Sequence, residues 1–293
     1  MDPVIFSFNI GSLELAFRWY GLLIAVGGML STWIAEKEIV RRGGKAEWVW
    51  DALLWALPAA VIGARFWYVV NDILGGGRIF IDQPARIWRI SEGGLHIFGS
   101  FVFGLVAVYL YARRNRADML LLLDAIAPSL LIGQAIGRLG NFINQELYGP
   151  PTNLPWGIAI DALHRMPPWN DLTLYPEATT RFHPTFAYEM LWNFLAAGLI
   201  LWLTRKFMDK FKPGAAFAAW MLLAGVGRVF IEVFRPDQPR IPGTDFSWSR
   251  LIYLLLAIAG LVWLLVRNKV IKISFLSPGP EKYKLPKKRR KKY

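Results

Sequence analysis

Long apolar stretches, each closed by a polar connector, recur along the chain. Runs at about 15–34, 48–70, 94–112, 119–139, 186–204, 214–234 and 250–266 are apolar nearly throughout. Each comes close to or exceeds the roughly 18 to 25 residues that a helix needs to cross a bilayer core of about 30 Å. The pattern predicts an all-α polytopic membrane protein with about seven transmembrane helices. Residues 140–185 form the one long connector, rich in Pro, Asn and Asp ("YGPPTNLPWG", "MPPWNDLTLYPE"), and are expected to fold as a small extramembrane segment between spans four and five. No internal repeat is visible, so the inverted-repeat architecture of many transporters gains no support. The opening "MDPVIFSFNIGSLEL" has neither a basic start nor a small-residue cleavage site and is expected to remain in the mature protein.

Composition supports the same solvent. Of 293 residues, 55% are hydrophobic and 15% aromatic, high for a water-soluble globule. Charge then orients the chain. Counting the connectors alternately, 22 Lys and Arg fall on one side and 8 on the other. The rich side is cytoplasmic by the positive-inside rule, which puts the N-terminus and the 140–185 segment outside and the C-terminus inside. The same bias accounts for most of the +13 charge without nucleic acid. The ending "LPKKRRKKY" reads as a juxtamembrane basic segment facing anionic lipid. Residues 1–270 are expected to form one transmembrane domain and 271–293 a flexible cytoplasmic tail, with the part after about Ser277 dispensable for chemistry.

Four basic residues lie inside the spans: Arg18, Arg65, Arg138 and Arg228. Each costs about 2.5 to 3.5 kcal/mol at a helix centre, so each needs a partner or a wet interior. With the orientation above, all four fall in the outer half of the bilayer, together with Tyr20, His96, His183 and Glu189. Arg228, Glu232 and Arg235 are spaced i, i+4, i+7 and share a helical face. The convergence describes a cationic, hydrogen-bonding chamber for something anionic. Residue by residue, structural readings compete. Arg228 and Glu232 can be a packing ion pair, Arg65 can snorkel to headgroups, Tyr20 can be an interfacial anchor, and His183 before Pro184 can be a loop residue. No HExxH pair, cysteine cluster or carboxylate quartet supports a metal, and no cofactor is indicated. The chain has no cysteine, which excludes a thiol nucleophile of its own.

The segment "GRLGNFINQELYG" at 137–149 closely resembles the signature of the prolipoprotein diacylglyceryl transferases, bacterial plasma-membrane enzymes. The resemblance continues through "DPVIFSF", "RWYGLLIAVG", "GARFWYV", "EGGL", "HPTFAYE" and "GRVFIEVFR", in order. It implies transfer of the diacylglyceryl group of phosphatidylglycerol to the lipobox cysteine of a prolipoprotein, forming a thioether and releasing glycerol 1-phosphate. It also implies that Arg138 and Arg228 hold the donor phosphate, which suits the fork-shaped guanidinium. Asn141, Asn144 and Glu146 are expected to orient the site and Glu232 to hold Arg228, with Tyr20 and Arg65 among the lipid-binding residues.

A thiol of pKa about 8.5 reacts as thiolate and needs a base or a positive field. Relatives carry a histidine four residues after the second glycine of the pair. Here "GGLHIFGS" puts Phe98 at that place and His96 two residues earlier. Three readings stay open: His96 reaches the same space, a carboxylate such as Glu146 or Glu189 serves instead, or the chain binds lipid without transferring it. A lipid transporter is a further alternative, against which stands the scarcity of charge in the inner halves of the spans, where Asp51 and Asp124 are the exceptions.

Overall fold

The computed structural model describes residues 4–10, 13–90, 93–207, 211–235, 238–274 and 276–285. The basic cluster at 287–292 and Glu92 of "EGGL" lie outside the described residues. Two antiparallel strands, β1 (Val4–Ile10) and β2 (Leu13–Arg18), open the chain. Seven long helices follow: α1 (Trp19–Arg41), α2 (Glu47–Leu74), α4 (Ile97–Asn115), α5 (Met119–Ile143), α6 (Thr185–Lys206), α7 (Ala215–Ile231) and α8 (Trp248–Arg267), with a four-residue helix α3 (Ile79–Asp82) after α2. The helices coincide with the expected spans to within a turn, except at the start of the first and the ends of the first, second and fourth.

The exception at the start has a physical cause. Residues 13–18 alternate in the strand period, and Arg18 ends β2 opposite Val4 instead of lying within a membrane helix. Phe6, Phe8 and Phe17 stack on one face of the hairpin at 4.7 to 6.4 Å, a cross-strand contact that outweighs helical continuation of the apolar run.

Among the described residues, five helices (α2, α5, α6, α7 with its 3-10 extension to Phe234, and α8) are long and apolar enough to cross a membrane. Their outward faces carry bare aliphatic side chains, among them Leu54, Ile62, Leu191 and Leu195, each about 60% exposed or more. Water does not favour so continuous an apolar surface; lipid does. In α1 and α4 the apolar residues are interspersed with Gly, Ser, Thr and Tyr.

The chain divides into two compact units, 1–35 with 123–282 and 36–122 with 283–293. In the first, α5, α6 and α7 share a core of Ala127, Leu131, Ala196, Ala197, Ile200, Ala216, Trp220 and Ala224. Small residues let the backbones approach. On α7, Gly225 faces the backbone of Tyr253 and Ala257 on α8, and Gly227 lies against the Trp192 indole of α6, whose Nε1 donates to the Leu223 carbonyl at 2.8 Å. Asp124, buried in α5, accepts from the amides of Gly214 and Phe217 at 2.5 and 2.9 Å, placing its charge on the positive end of α7.

Residues 144–184 fold around Tyr148, Ile160, Trp169 and Phe182. The buried Arg165 donates to the carbonyls of Ile160 and Tyr175 and lies 5.0 Å from the Phe182 ring. The Tyr148 hydroxyl accepts from the Met166 amide at 2.6 Å and donates to the His164 carbonyl at 3.2 Å.

In the second unit, α2 packs on α4 where Gly63 meets Gly99 and Phe103. Arg65 is 6% exposed and donates to five carbonyls: Arg86, Ile87, Arg89, Gly93 and Gly94. Gly93 and Gly94 both have positive φ, which turns their carbonyls inward at no steric cost.

The tail has defined contacts as far as Leu285. Glu281 pairs with Lys212 at 3.4 Å and Lys269 at 3.0 Å, and the Lys284 amide donates to Asp118 at 2.6 Å. Exposed ion pairs of this kind contribute about 0 to 1 kcal/mol. The buried Arg267 also donates to the Pro280 carbonyl at 2.7 Å, so ending the chain after Ser277 is expected to lower the melting temperature by several degrees through this lost acceptor and to leave activity intact; an unchanged melting temperature in a thermal scan would show that the tail carries no stability.

Burial raises the Tyr148 pKa above its ordinary value, against an opposing effect of the Met166 amide. A raised folded pKa stabilises fully below the unfolded value of about 10 and is lost as pH rises through the folded one. Tyr148→Phe strands the Met166 N–H, at a cost of about 1 to 3 kcal/mol. The expected outcome is faster proteolysis within 144–184, and loss of one late-titrating tyrosinate signal in alkaline absorbance titration.

Candidate functional site

The signature at the end of α5 becomes a side-chain network. One helical turn separates Arg138 from Asn141, and the Arg138 Nη1 donates to Asn141 Oδ1 at 3.0 Å. Beyond Ile143 the chain turns sharply, with Gln145 and Leu147 at positive φ. The turn brings Glu146 back, so that its Oε1 accepts from Asn141 Nδ2 at 2.8 Å and Asn144 Nδ2 at 3.2 Å. Tyr20, at the start of α1, lays its ring over Gly140, where any Cβ would collide with it.

Glu189 on α6 lies at the centre. Its Oε1 accepts from Arg138 Nη2 at 2.5 Å and its Oε2 from Arg228 Nη1 at 2.8 Å, so one carboxylate holds arginines from α5 and α7. The Trp192–Gly227 contact lies one turn from Glu189 and one residue from Arg228, and fixes their register. Arg228 Nε lies 3.1 Å from Glu232 Oε2 as a charge contact without hydrogen-bond alignment, and its guanidinium is 5.5 Å from the Tyr253 ring. Glu232 Oε1 accepts from the hydroxyl of Ser247 at 3.0 Å, which itself caps α8 by accepting from the Arg250 amide. One network thus runs from Asn144 to Ser247.

A family model of prolipoprotein diacylglyceryl transferase matches residues 3–266. The chain belongs to the prolipoprotein diacylglyceryl transferase family. A phosphatidylglycerol–prolipoprotein diacylglyceryl transferase from Chloroflexus aggregans is 37% identical over 244 residues, covering 81% of this chain and 78% of that protein. One of the same name from Bifidobacterium adolescentis is 40% identical over 242 residues, covering 80% and 70%.

The network of this family member unites Arg138, Arg228, Asn141, Asn144, Glu146 and Glu232, with Tyr20 against the same helix end. Arg65 and His96 belong to the other compact unit and are bonded within it. Arg65 spends its donors on loop carbonyls, and its guanidinium lies 5.2 Å from the Phe80 ring. His96 accepts from the Phe98 amide at 3.3 Å, capping α4, while Phe98 packs on the Trp67 ring at 4.8 Å. His183 lies 3.0 Å from the Tyr188 hydroxyl. Among the described residues no group of His, Asp and Glu could hold a metal.

Sequence reasoning did not assign Ser247 to the site, nor Glu189 its bridging role. Ser247 carried a local signal, as an N-cap serine before an apolar run, but nothing in its own neighbourhood pointed to Glu232.

Arg138, Glu189 and Arg228 have side chains only 21%, 12% and 11% exposed, so removing the shared carboxylate leaves two poorly solvated cations. Glu189→Ala is expected to destabilise the protein by about 3 kcal/mol, and Glu189→Gln by less because an amide oxygen can still accept. Thermal unfolding in detergent checks the ranking.

Proposed function

We propose that this chain transfers the diacylglyceryl group of phosphatidylglycerol to the lipobox cysteine thiol of prolipoproteins. In this reading it is a multi-pass protein of the bacterial plasma membrane. Its seven long helices are the spans, the N-terminus and the 144–184 segment lie outside, and the C-terminus lies inside.

The supporting observation is the pair of arginines gripped by Glu189. Each guanidinium has five N–H donors, of which Arg138 commits one each to Asn141 and Glu189 and Arg228 directs Nη1 to Glu189 and Nε to Glu232. The remaining donors can take the phosphate oxygens of an anionic lipid. A sulfur–carbon bond forms as the thiolate attacks the glyceryl carbon, the carbon–oxygen bond breaks, and its electron pair leaves with the phosphate ester. Charge grows on the departing oxygen, where fixed guanidinium groups stabilise the transition state more than the ground state.

The thiol proton needs an acceptor. Both Glu189 oxygens are engaged by arginines, whereas Glu146 is exposed and its contacts are made through Oε1 alone. Glu146 is therefore the base in this reading, and Phe98 is no obstacle. His96, as an N-cap, has its Nδ1 occupied. Asn141 and Asn144 set the carboxylate, and the 144–184 segment offers the surface for the peptide.

The test is transfer of labelled diacylglyceryl from phosphatidylglycerol to a lipobox peptide by the purified chain. Arg138→Ala is expected to lower kcat by about 10²- to 10³-fold in protein that still inserts, and Glu146→Gln to lower kcat with little change in KM. Undiminished thioether formation by Arg138→Ala would sink the assignment. No thioether from well-folded wild type that still retains phosphatidylglycerol would favour the lipid-binding alternative.

A further inference from the structure

Glu232 has a second side. Next to it, between the end of α7, the 238–247 loop and the first turn of α8, lies a cavity of about 310 Å³ lined by Glu232, Arg235, Gln238, Arg240, Ser247 and Arg250. Its volume is at the lower end of the range for small-molecule sites. Among the described residues that line it, three arginines face two carboxylates, Glu232 and Asp245, and Glu232 is already shared with Arg228.

The loop is a closed frame. The Ile241 amide donates to the Phe246 carbonyl at 2.7 Å and the Trp248 amide to the Pro239 carbonyl at 3.2 Å. Two arginines line the cavity in different states, Arg240 from the loop and Arg250 from the first turn of α8. Arg240 pairs with Asp245 at 3.0 Å, with side chains 60% and 98% exposed, a contact weak enough for a stronger acceptor to displace. Arg250 stands on the Phe246 ring at 4.8 Å, and its buried Nε has no acceptor. An unsatisfied buried donor is uncommon and calls for one.

We propose that this cavity is a second anion site, separate from the Arg138–Arg228 pair, for a glycerol phosphate group. The proposal rests on the transferase reading for the origin of its ligand. In that reaction a phosphodiester with one negative charge becomes a monoester with about 1.5 to 2 at neutral pH. The ester has no acyl chains to keep it at lipid depth. Guanidinium groups beyond Glu232 attract the added charge, and Gln238, Asp245 and the Ser247 hydroxyl suit the glycerol hydroxyls. Glu232 divides the two sites, with Oε2 toward Arg228 and Oε1 held by Ser247.

The same group can also come from the headgroup of a second phosphatidylglycerol, and the test separates the two sources. Binding of radiolabelled glycerol 1-phosphate to the full chain, purified in detergent, is measured by equilibrium dialysis. Saturable binding is expected, weakened about tenfold by Arg250→Gln and by Arg240→Gln, less by Arg250→Lys, and retained in Arg138→Gln. Loss in Arg138→Gln with retention in both the Arg240 and Arg250 variants overturns the proposal, as does absence of saturable binding to wild type. Displacement of label by phosphatidylglycerol that persists in Arg138→Gln identifies a lipid headgroup as an occupant; failure to displace there identifies the free ester. Thioether formation is assayed on the same preparations. Label bound through Arg240 and Arg250 without any thioether leaves the cavity standing and the transferase reading refuted, and thioether formation with binding indifferent to both arginines does the reverse.

Discussion

A cation placed in a low-dielectric interior must be met by an acceptor, and much of this structure answers that demand. Glu189 satisfies two guanidinium groups with one carboxylate. Because Arg138, Glu189 and Arg228 come from α5, α6 and α7, the bond network also fixes the mutual register of three helices whose shared core is mostly alanine and therefore smooth. Alanine faces pack closely but specify position poorly; directional bonds between charged groups supply what the packing lacks. The arrangement leaves donors on both arginines pointing away from Glu189, so the pairing that makes burial tolerable does not exhaust the capacity to bind.

Other charged groups solve the same problem by local means. Asp124 takes the amides at the start of α7, Arg165 takes two carbonyls and an aromatic face, and Arg65 takes five carbonyls. Each is a charge neutralised largely by backbone dipoles, which costs no second buried ion. Glu232 differs in facing two ways at once, toward Arg228 and toward the cap of α8, and so ties the polar centre to the cavity at the α7–α8 loop.

The helices were legible because span length and apolar content are properties of contiguous residues, and the arginines stood out because they are costly where they lie. Glu146, Asn141 and Asn144 were legible through the family signature. Arg18 was not: "LELAFR" is apolar enough to read as the start of a span, and only pairing with β1, set by aromatic contacts across strands, makes it a strand. The meeting of Ser247 with Glu232 depends on how a loop closes over fifteen residues, and the choice between Glu146 and Glu189 as proton acceptor depends on which oxygens are already taken. Neither is written in spacing. The contacts of the tail as far as Leu285, made by the Glu281 carboxylate, the Lys284 amide and the Pro280 carbonyl that accepts from buried Arg267, are equally unwritten in a stretch with little apolar content.

Arg65 carries a consequence for how the 86–94 loop can evolve. Its grip is on main-chain oxygens, which every residue type supplies, so the hold is blind to the identity of the side chains it gathers. Trp88 and Ile90, 83% and 39% exposed, can be exchanged without loosening the loop, provided the glycine pair still turns its carbonyls inward. A surface fixed from beneath in this way can change what it displays while keeping its place.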